Sequence, residues 1–359
     1  MISREQLARE LVAGSTSRPA SLQPWLDAGR VEGIDTLLAA RWQSSVDLGV
    51  ADRASCTATL QRAHARELFL QAHERDALSA LRAADIDVLV LKGAALARWL
   101  YPEPYLRTRS DIDLLLRSEA DVVRCRDALL ALGYEDLDLP LLPPTYERAY
   151  RKPIGKGEHS VDVHWRLSNH PAFAHSFSFN DLWVERQSLT GLPGGWALGP
   201  VHALIHACLH RACNLTEVAG DRLIWLYDIA LLVPRLSDSD WTLLARLAMT
   251  SRTAEPCRHT FAAVYSLFDI AIPHSTMQLL TEVALHEAFR MDHARHLGYR
   301  SYWAFRELPW SERVPWLLRR VFPDWRYMQA HFKLKHRGQL PWAWIRRLFD
   351  LTTGIGRRH

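Results

Sequence analysis

The sequence predicts an α+β protein in which a mixed sheet of about four or five strands is flanked by N-terminal and C-terminal helical segments. Apolar residues recur at spacings of three and four over residues 1–80 and again from Pro200 onward, as in helices that face a core. Between them, short apolar runs and alternating patterns indicate strands. We therefore divide the chain into a helical segment at 1–80, an α/β core at 81–195 and a helical domain at 196–359.

The first elements of the core follow one another closely. Residues 86–91 form a continuous apolar run that indicates a buried strand, and Gly93 to Leu100 can begin a helix directly after it. Residues 101–109 contain two prolines and are expected to form a loop. Residues 111–116, "DIDLLL", are the second strand.

The second half of the core begins with a helix. Ser118 is the expected N-cap, with Asp121 three residues later, and Gly133 is expected to close the helix. After a proline-rich linker at 138–144, the stretches "YERAYRK" and "SVDVHWRL" predict two strands paired around the glycine-rich turn at 155–157.

Composition limits the class of protein. Hydrophobic residues make up 48% and charged residues 23%, which is ordinary for a globular chain. The N-terminus lacks the apolar core of a secretory signal, and no apolar run is long enough to span a membrane. The five cysteines contain no Cys-x-x-Cys pair, which argues against a disulfide framework and a zinc ribbon. We therefore expect a cytoplasmic protein without a transmembrane segment.

Two acidic residues lie inside the second strand. Side chains at positions i and i+2 of a strand face the same side, so Asp111 and Asp113 project together while Ile112 and Leu114 point into the core. Two carboxylates this close raise one pKa strongly unless a cation shares the site. Hard divalent ions such as Mg²⁺ bind to carboxylates together with substrate phosphates. An edge strand with alternating polar residues is the structural alternative for the pair alone.

A third acid favours the chemical interpretation. Asp162 lies among apolar residues in "SVDVHW", and a site with two metal ions often takes a carboxylate from a neighbouring strand. His164 shares the strand face of Asp162 and is expected to contact the metal ligands without binding the metal itself. Trp165 faces the other way and is expected in the core.

The ordered set of Lys92-Gly93, an arginine, Asp-x-Asp and Asp-x-His-Trp resembles a known family. It is similar to the uncharacterised bacterial nucleotidyltransferases of the DNA polymerase beta-like superfamily, over roughly residues 80–235. The resemblance implies a polymerase-beta-like fold and a metal-dependent nucleotidyltransferase. It also implies the reaction: a nucleoside monophosphate is transferred from an NTP to an acceptor, and pyrophosphate is released. ATP is the expected donor.

The resemblance also implies roles for individual residues. It makes Asp111, Asp113 and Asp162 the catalytic residues and the ligands of two Mg²⁺ ions, with Mn²⁺ as an alternative metal. The expected contacts to the triphosphate are Lys92, Gly93, Ala94, Arg107 and Ser110. A glycine lets the backbone approach a phosphate, and a helix N-terminus attracts its charge. The superfamily commonly has Gly-Ser or Gly-Gly at this turn, so Ala94 leaves a hydroxyl missing. The structural alternative for Lys92 is a strand-end lysine that points to water.

Two other features are weighed against structural interpretations. His202, His206 and His210 recur every four residues, and we favour a packed helix face over a metal site, with a substrate contact open for one of them. Asp228 lies in an apolar helix six residues after Arg222, a separation that does not make them helix neighbours. We interpret Asp228 as structural, and Arg109 receives less weight than Arg107.

The acceptor cannot be identified from the sequence, and a small molecule, a peptide or a protein all stay open. A catalytically silent nucleotide-binding scaffold and an RNA-acting, toxin-like transferase are the alternatives. Residues 295–359 contain fourteen Arg or Lys, four Asp or Glu and six tryptophans. Most of this segment is expected to form a helical cap. Residues 340–359 are the candidate surface for RNA or an acidic partner.

Overall fold

The computed structural model describes residues 2–12, 19, 21–44, 48–137, 145–155, 157–215, 220–293 and 298–353. The predicted linker at 138–144 and the end of the candidate surface at 340–359 lie outside these residues. Over the described ranges, no helix combines the length and the apolar character needed to cross a membrane.

The helical character predicted for residues 1–80 is confirmed by four helices among the described residues. They are α1 (Arg4–Val12), α2 (Gln23–Glu32), α3 (Asp35–Gln43) and α4 (Val50–Ala83). Of these, α2 was not predicted. Helix α4 has 34 residues, and its buried positions lie on the side that faces the rest of the protein. Its last turns carry Ala77, Leu78 and Leu81 into the core beneath the sheet. The N-terminal helices therefore support the α/β core directly.

A mixed sheet is confirmed, and it has seven strands in the order β3-β4-β5-β2-β1-β7-β6. The strands are β1 (Val88–Leu91), β2 (Asp111–Leu116), β3 (Glu135–Asp136), β4 (Glu147–Ile154), β5 (Gly157–His164), β6 (Gln187–Ser188) and β7 (Trp196–Ala197). The prediction of about four or five strands was too low. Strands β3, β6 and β7 have two residues each, too few to show an alternating pattern.

Strand directions determine which side chains meet. Strand β2 is parallel to β5 and antiparallel to β1, while β4 and β5 form the predicted antiparallel pair. Strand β1 is parallel to β7. The two acidic strands of the sequence are thus direct neighbours at the centre of the sheet.

Helices of the core begin where the sequence places them. Helix α5 (Lys92–Trp99) follows β1 without a linker, and α6 (Glu119–Ala131) begins after Ser118, whose hydroxyl accepts a hydrogen bond from the Asp121 backbone. Gly133, with φ of 84°, follows the end of α6. A short helix, α7 (Phe179–Val184), precedes β6.

The C-terminal part is helical, as predicted. Its helices are α8 (Pro200–Leu215), α9 (Leu223–Leu232), α10 (Asp238–Thr250), α11 (Ala254–Phe268), α12 (His274–His286), α13 (Tyr299–Glu307), α14 (Trp310–Val321), α15 (Trp325–Phe332) and α16 (Leu340–Thr353). Helix α8 packs against α9, α10 and α11.

Two hydrophobic cores lie on opposite faces of the sheet. Val90, Leu114 and Val161 face α4 and α6. On the other face, Leu89 and Leu115 join a core that also contains residues of α1 to α3 and α8 to α12. The N-terminal and C-terminal helices thus share one core above the sheet. The domain boundaries at residues 80 and 195 stay predictions from the sequence.

Candidate active site

Three carboxylates lie side by side on one face of the sheet. Asp113 of β2 is the register partner of Asp162 in β5, and Asp111 is the partner of Ser160. Neighbouring strands are about 4.8 Å apart, so the carboxylates of Asp113 and Asp162 project from adjacent positions. Ile112 is fully buried in the core on the opposite face, as expected. The parallel pairing of β2 and β5 therefore assembles the acids that the sequence singled out.

Lys92 lies at the junction between strand and helix. Leu91 is the register partner of Asp113, so the first turn of α5 begins beside the acidic end of β2. Lys92 has a left-handed backbone, with φ of 49°, a conformation that is strained for a residue other than glycine. Its Nζ donates a hydrogen bond to Asp113 Oδ1 at 2.5 Å. The alternative of a lysine that points to water is therefore wrong.

His164 contacts the same carboxylate from β5. Its Nε2 lies 3.1 Å from Asp113 Oδ1, and its Nδ1 lies 3.6 Å from Glu147 Oε2 on the neighbouring strand. Trp165 packs against the core below the sheet, as expected. The sequence did not point to Glu147, which resembles an ordinary surface acid near the start of "YERAYRK". The only feature that could have indicated it is its position opposite His164 in an antiparallel strand pair.

The three carboxylates have different electrostatic surroundings. Burial alone would raise the pKa of Asp113, but the Lys92 ammonium and the hydrogen bond to His164 hold that pKa well below its ordinary value. Burial, followed by the charges of Asp113 and Asp111, raises the pKa of Asp162 to about 7. Burial and the charge of Asp113 likewise raise the pKa of Asp111. One carboxylate of the cluster thus has a cationic partner in contact, and the cluster as a whole favours additional positive charge.

The donor set fits a hard divalent cation. Carboxylate oxygens are the ligands that Mg²⁺ prefers, and here they converge beside a helix N-terminus. Among the described residues, no three His, Cys, Asp or Glu side chains stand in a ready-made metal site. The ammonium of Lys92 and the imidazole of His164 both contact Asp113 Oδ1. A metal that bound this oxygen would have to take the place that Lys92 holds.

Arg107 lies next to this turn, in an ion pair with α9. Its Nε and Nη2 donate to the carboxylate of Asp228, with an Nη2 to Oδ2 distance of 2.7 Å. The Tyr101 hydroxyl donates to the same carboxylate at 2.6 Å. All three side chains are buried, and Arg107 Nη1 donates to the Thr108 carbonyl at 2.7 Å. These contacts agree with a structural role for Asp228, which joins the loop before β2 to the C-terminal helices.

Gly93 gives the turn its close approach to Arg107. A Cβ at this position would lie 3.3 Å from Arg107 Nη1 and 3.5 Å from the Cβ of Arg109. Arg109 itself is buried and donates to Glu67 of α4 at 2.8 Å. The other predicted contacts differ in exposure, since Ala94 is buried in α5 and Ser110 is exposed just before β2.

A cavity of about 180 Å³ opens beside Lys92 and His164. Its other lining residues are Glu147, Leu167, Ser168, Asn169, His170, His206, Leu209, His210, Cys213 and Asn214. Burial and the charge of Lys92 lower the pKa of His206 to about 3, and the same causes lower that of His210. Both imidazoles are thus neutral beside the cavity. His202, by contrast, packs edge-on against Phe177 with ring centroids 5.3 Å apart, which is the packed face that the sequence favoured.

Comparison with protein families gives an independent assignment. A model of the family described as "Uncharacterised nucleotidyltransferase" matches residues 21–269, well over half of the chain. The match includes Lys92, all three strand carboxylates and Asp228. A search of curated proteins finds no match. The chain therefore belongs to the uncharacterised nucleotidyltransferase family, whose general activity is the transfer of nucleotides.

Proposed function

We propose that this protein transfers a nucleoside monophosphate from an NTP, with ATP as the first donor to test, to an acceptor hydroxyl. The observation that carries the proposal is the in-register pairing of Asp113 with Asp162, two residues from Asp111 and beside the first turn of α5. In the reaction, the acceptor oxygen bonds to the α-phosphorus, and the bond from that phosphorus to the bridging oxygen of the β-phosphate breaks. Pyrophosphate leaves.

The first turn of α5 supplies the contacts for the triphosphate. Backbone N–H groups at a helix N-terminus carry a partial positive charge, and a glycine such as Gly93 lets the backbone come close to a phosphate. Ala94 would contribute its backbone alone. Arg107 would use the second N–H of Nη1, because the first donates to the Thr108 carbonyl and Asp228 holds the other nitrogens. Ser110, exposed before β2, would contact the same phosphates through its hydroxyl.

The carboxylates would bind the metal, and one of them would accept a proton. Asp111, Asp113 and Asp162 would be ligands of Mg²⁺ or Mn²⁺, which when bound neutralises charge on the phosphates. Lys92 would move from Asp113 to a phosphate oxygen, since both offer the same negative charge to its ammonium. Asp162 would accept the proton of the attacking hydroxyl, because it adjoins Asp113 and is the farthest of the three acids from β1.

The cavity beside Lys92 limits what can be enclosed. Pockets for complete small ligands usually measure about 300–1,000 Å³, and this one measures about 180 Å³. It can enclose the reacting end of a substrate, with the remainder outside. Neutral His206 and His210 can donate or accept hydrogen bonds there without repelling a charged group.

Labelled nucleotides test the reaction class. The protein, Mg²⁺ and cell extract are incubated with ATP labelled at the α-phosphate or at the γ-phosphate. We expect α-label on an acceptor and γ-label in pyrophosphate. Asp113→Asn should abolish both products, because it removes a carboxylate at the centre of the cluster. Asp127→Asn is the matched control, since Asp127 is an exposed acid on α6 with a side chain that is 63% exposed.

Binding is measured separately from turnover. Together, Mg²⁺ and a non-hydrolysable NTP should raise the melting temperature of the wild type and of Asp127→Asn, because a ligand that binds the folded state stabilises it. Asp111→Asn/Asp113→Asn should lose this shift and stay folded. Transfer of the γ-label alone, or an unchanged shift in the double variant, would contradict the proposal. A catalytically silent scaffold would show the shift without any labelled acceptor.

A further inference from the structure

The C-terminal helices expose an apolar surface that the α/β core does not cover. Helix α14 presents Trp310, Val314, Leu317 and Leu318 to solvent, and α16 presents Trp342 and Ile345. We call these six residues the C-terminal apolar face. Their exposed fractions run from 44% for Leu317 to 80% for Trp310. An exposed patch of this kind marks an interaction surface.

The apolar side of α14 is the side that faces away from the protein. Residues 310, 314, 317 and 318 follow the spacing of three and four that places them on one helix face. Trp316 on the opposite side is buried, 4% exposed, and packs against Phe305. In a helix that only caps the core, the apolar stripe would face inward. Here a large aromatic anchors the inner side and a second apolar stripe lies outside.

The two helices form one surface because they are joined. Trp344 Nε1 of α16 donates to the Pro323 carbonyl after α14 at 3.0 Å, and the rings of Trp344 and Phe322 meet edge to face at 5.5 Å. Arg347 of α16 also donates to the Arg320 carbonyl of α14 at 3.4 Å. The exposed stripes of α14 and α16 can therefore engage a common surface.

The charges around the face are basic. Residues 295–359 contain fourteen Arg or Lys against four Asp or Glu, and Arg313 and Arg346 lie over the rings of Trp310 and Trp342 in the face. Amphipathic helices with apolar residues and tryptophans on one side and arginines around them lie in the interface of anionic membranes. The same excess of charge opposes a second copy of this chain, because two such segments would meet with like charges.

We propose that α14 and α16 bind reversibly to anionic lipid surfaces through the C-terminal apolar face. The aliphatic residues of the C-terminal apolar face favour lipid over RNA as its binding partner. Single-stranded RNA is bound by arginines and by stacked aromatic rings, whereas Val314, Leu317, Leu318 and Ile345 offer no ring to stack on a base. Insertion of these side chains among acyl chains uses the whole face. This proposal is independent of the nucleotidyltransferase reaction.

Vesicle flotation tests the proposal with the full chain. The protein is mixed with vesicles of phosphatidylcholine alone or of phosphatidylcholine with phosphatidylglycerol, at low and at moderate salt. We expect binding to the anionic vesicles and little to the neutral ones. Leu317→Gln/Leu318→Gln should lower the partition coefficient at least about tenfold, because two buried side chains are lost from the bilayer. Arg313→Gln/Arg346→Gln should lower it about fivefold per charge, with less effect at higher salt.

A matched control removes apolar surface elsewhere. Val31 and Leu285 are 76% and 67% exposed and lie outside α13 to α16, so Val31→Gln/Leu285→Gln should leave vesicle binding unchanged. Absence of binding to anionic vesicles would overturn the proposal. The proposal would also be overturned if the protein binds RNA, the variant Leu317→Gln/Leu318→Gln binds it equally well, and anionic vesicles do not compete with that RNA. A concentration-dependent dimer that the same double variant abolishes, without vesicle binding, would show instead that a second copy covers the face.

Discussion

Replacement of Lys92 by methionine should change metal binding and nucleotide binding in opposite directions. Methionine keeps an unbranched stem, so the left-handed backbone is retained, but the ammonium 2.5 Å from Asp113 Oδ1 is removed. A hydrogen bond to a charged group contributes about 1.5–3 kcal/mol. In the proposed site, a metal that binds Asp113 Oδ1 of the wild type must break this contact. If the variant no longer has to spend about 2 kcal/mol on breaking this contact, its affinity for Mg²⁺ alone should rise about 30-fold.

Nucleotide binding should weaken in the same variant. In the proposed site, the released ammonium binds a phosphate, so its removal takes away a contact of similar strength. We expect the affinity for a non-hydrolysable NTP at saturating Mg²⁺ to fall about tenfold or more. Isothermal titration measures both quantities, first Mg²⁺ without nucleotide and then nucleotide with Mg²⁺ in excess.

The stability of the metal-free variant gives a third readout. Loss of one partner of a buried ion pair typically destabilises a protein by about 3–5 kcal/mol. The Lys92 side chain is 25% exposed, so we expect a smaller loss, about 2–3 kcal/mol, that Mg²⁺ restores in part. Lys335→Met, at an exposed position on the C-terminal surface, is the control. If Lys92→Met binds Mg²⁺ no more tightly than the wild type, the ammonium does not occupy the position of the metal, and the reasoning fails.

Three further variants test the surroundings of the site. Gly93→Ala places a methyl group 3.3 Å from Arg107 Nη1, and nucleotide titration should show affinity about tenfold lower with little change in melting temperature. Asp228→Asn leaves the buried Arg107 without a counter-charge and should lower the free energy of unfolding in urea by about 3 kcal/mol. Burial lowers the pKa of His159 to about 3, so below about pH 6.5 the unfolded chain binds a proton that the folded protein does not. Stability should therefore fall with falling pH. The variant His159→Gln should remove about 1.4 kcal/mol per pH unit of that slope between about pH 6 and 4.

Local patterns were sufficient to identify the acids and the turn. Asp111 and Asp113 interrupt an apolar strand at a spacing of two, and Lys92-Gly93 separates a strand from a helix without a linker. Both patterns depend on neighbours in sequence, which is why they could be interpreted without a structure. The prediction that Asp162 lies with them needed a pairing across 49 residues. The structure supplies it through the parallel register of β2 and β5.

The partners of these residues could not be predicted in the same way. Glu147 meets His164 because of the exact register of β4 and β5, and one residue of slip would turn it to the other face. Arg107 and Asp228 are 121 positions apart and meet only when α9 packs over the loop before β2. Such contacts depend on tertiary packing, which no periodicity in either segment encodes.

The N-terminal helices hold the acidic strand in place through buried charge. Arg98 of α5 and Arg109 before β2 both donate to Glu67 and Glu74 of α4. Glu74 is fully buried, so the pairs meet the requirement that a buried charge be matched by another. One helix thereby fixes both ends of the loop that runs from the end of α5 to the Asp-x-Asp strand. Because Glu67 and Glu74 belong to the segment predicted at 1–80, that segment is part of the scaffold of the site and not a separate addition to it.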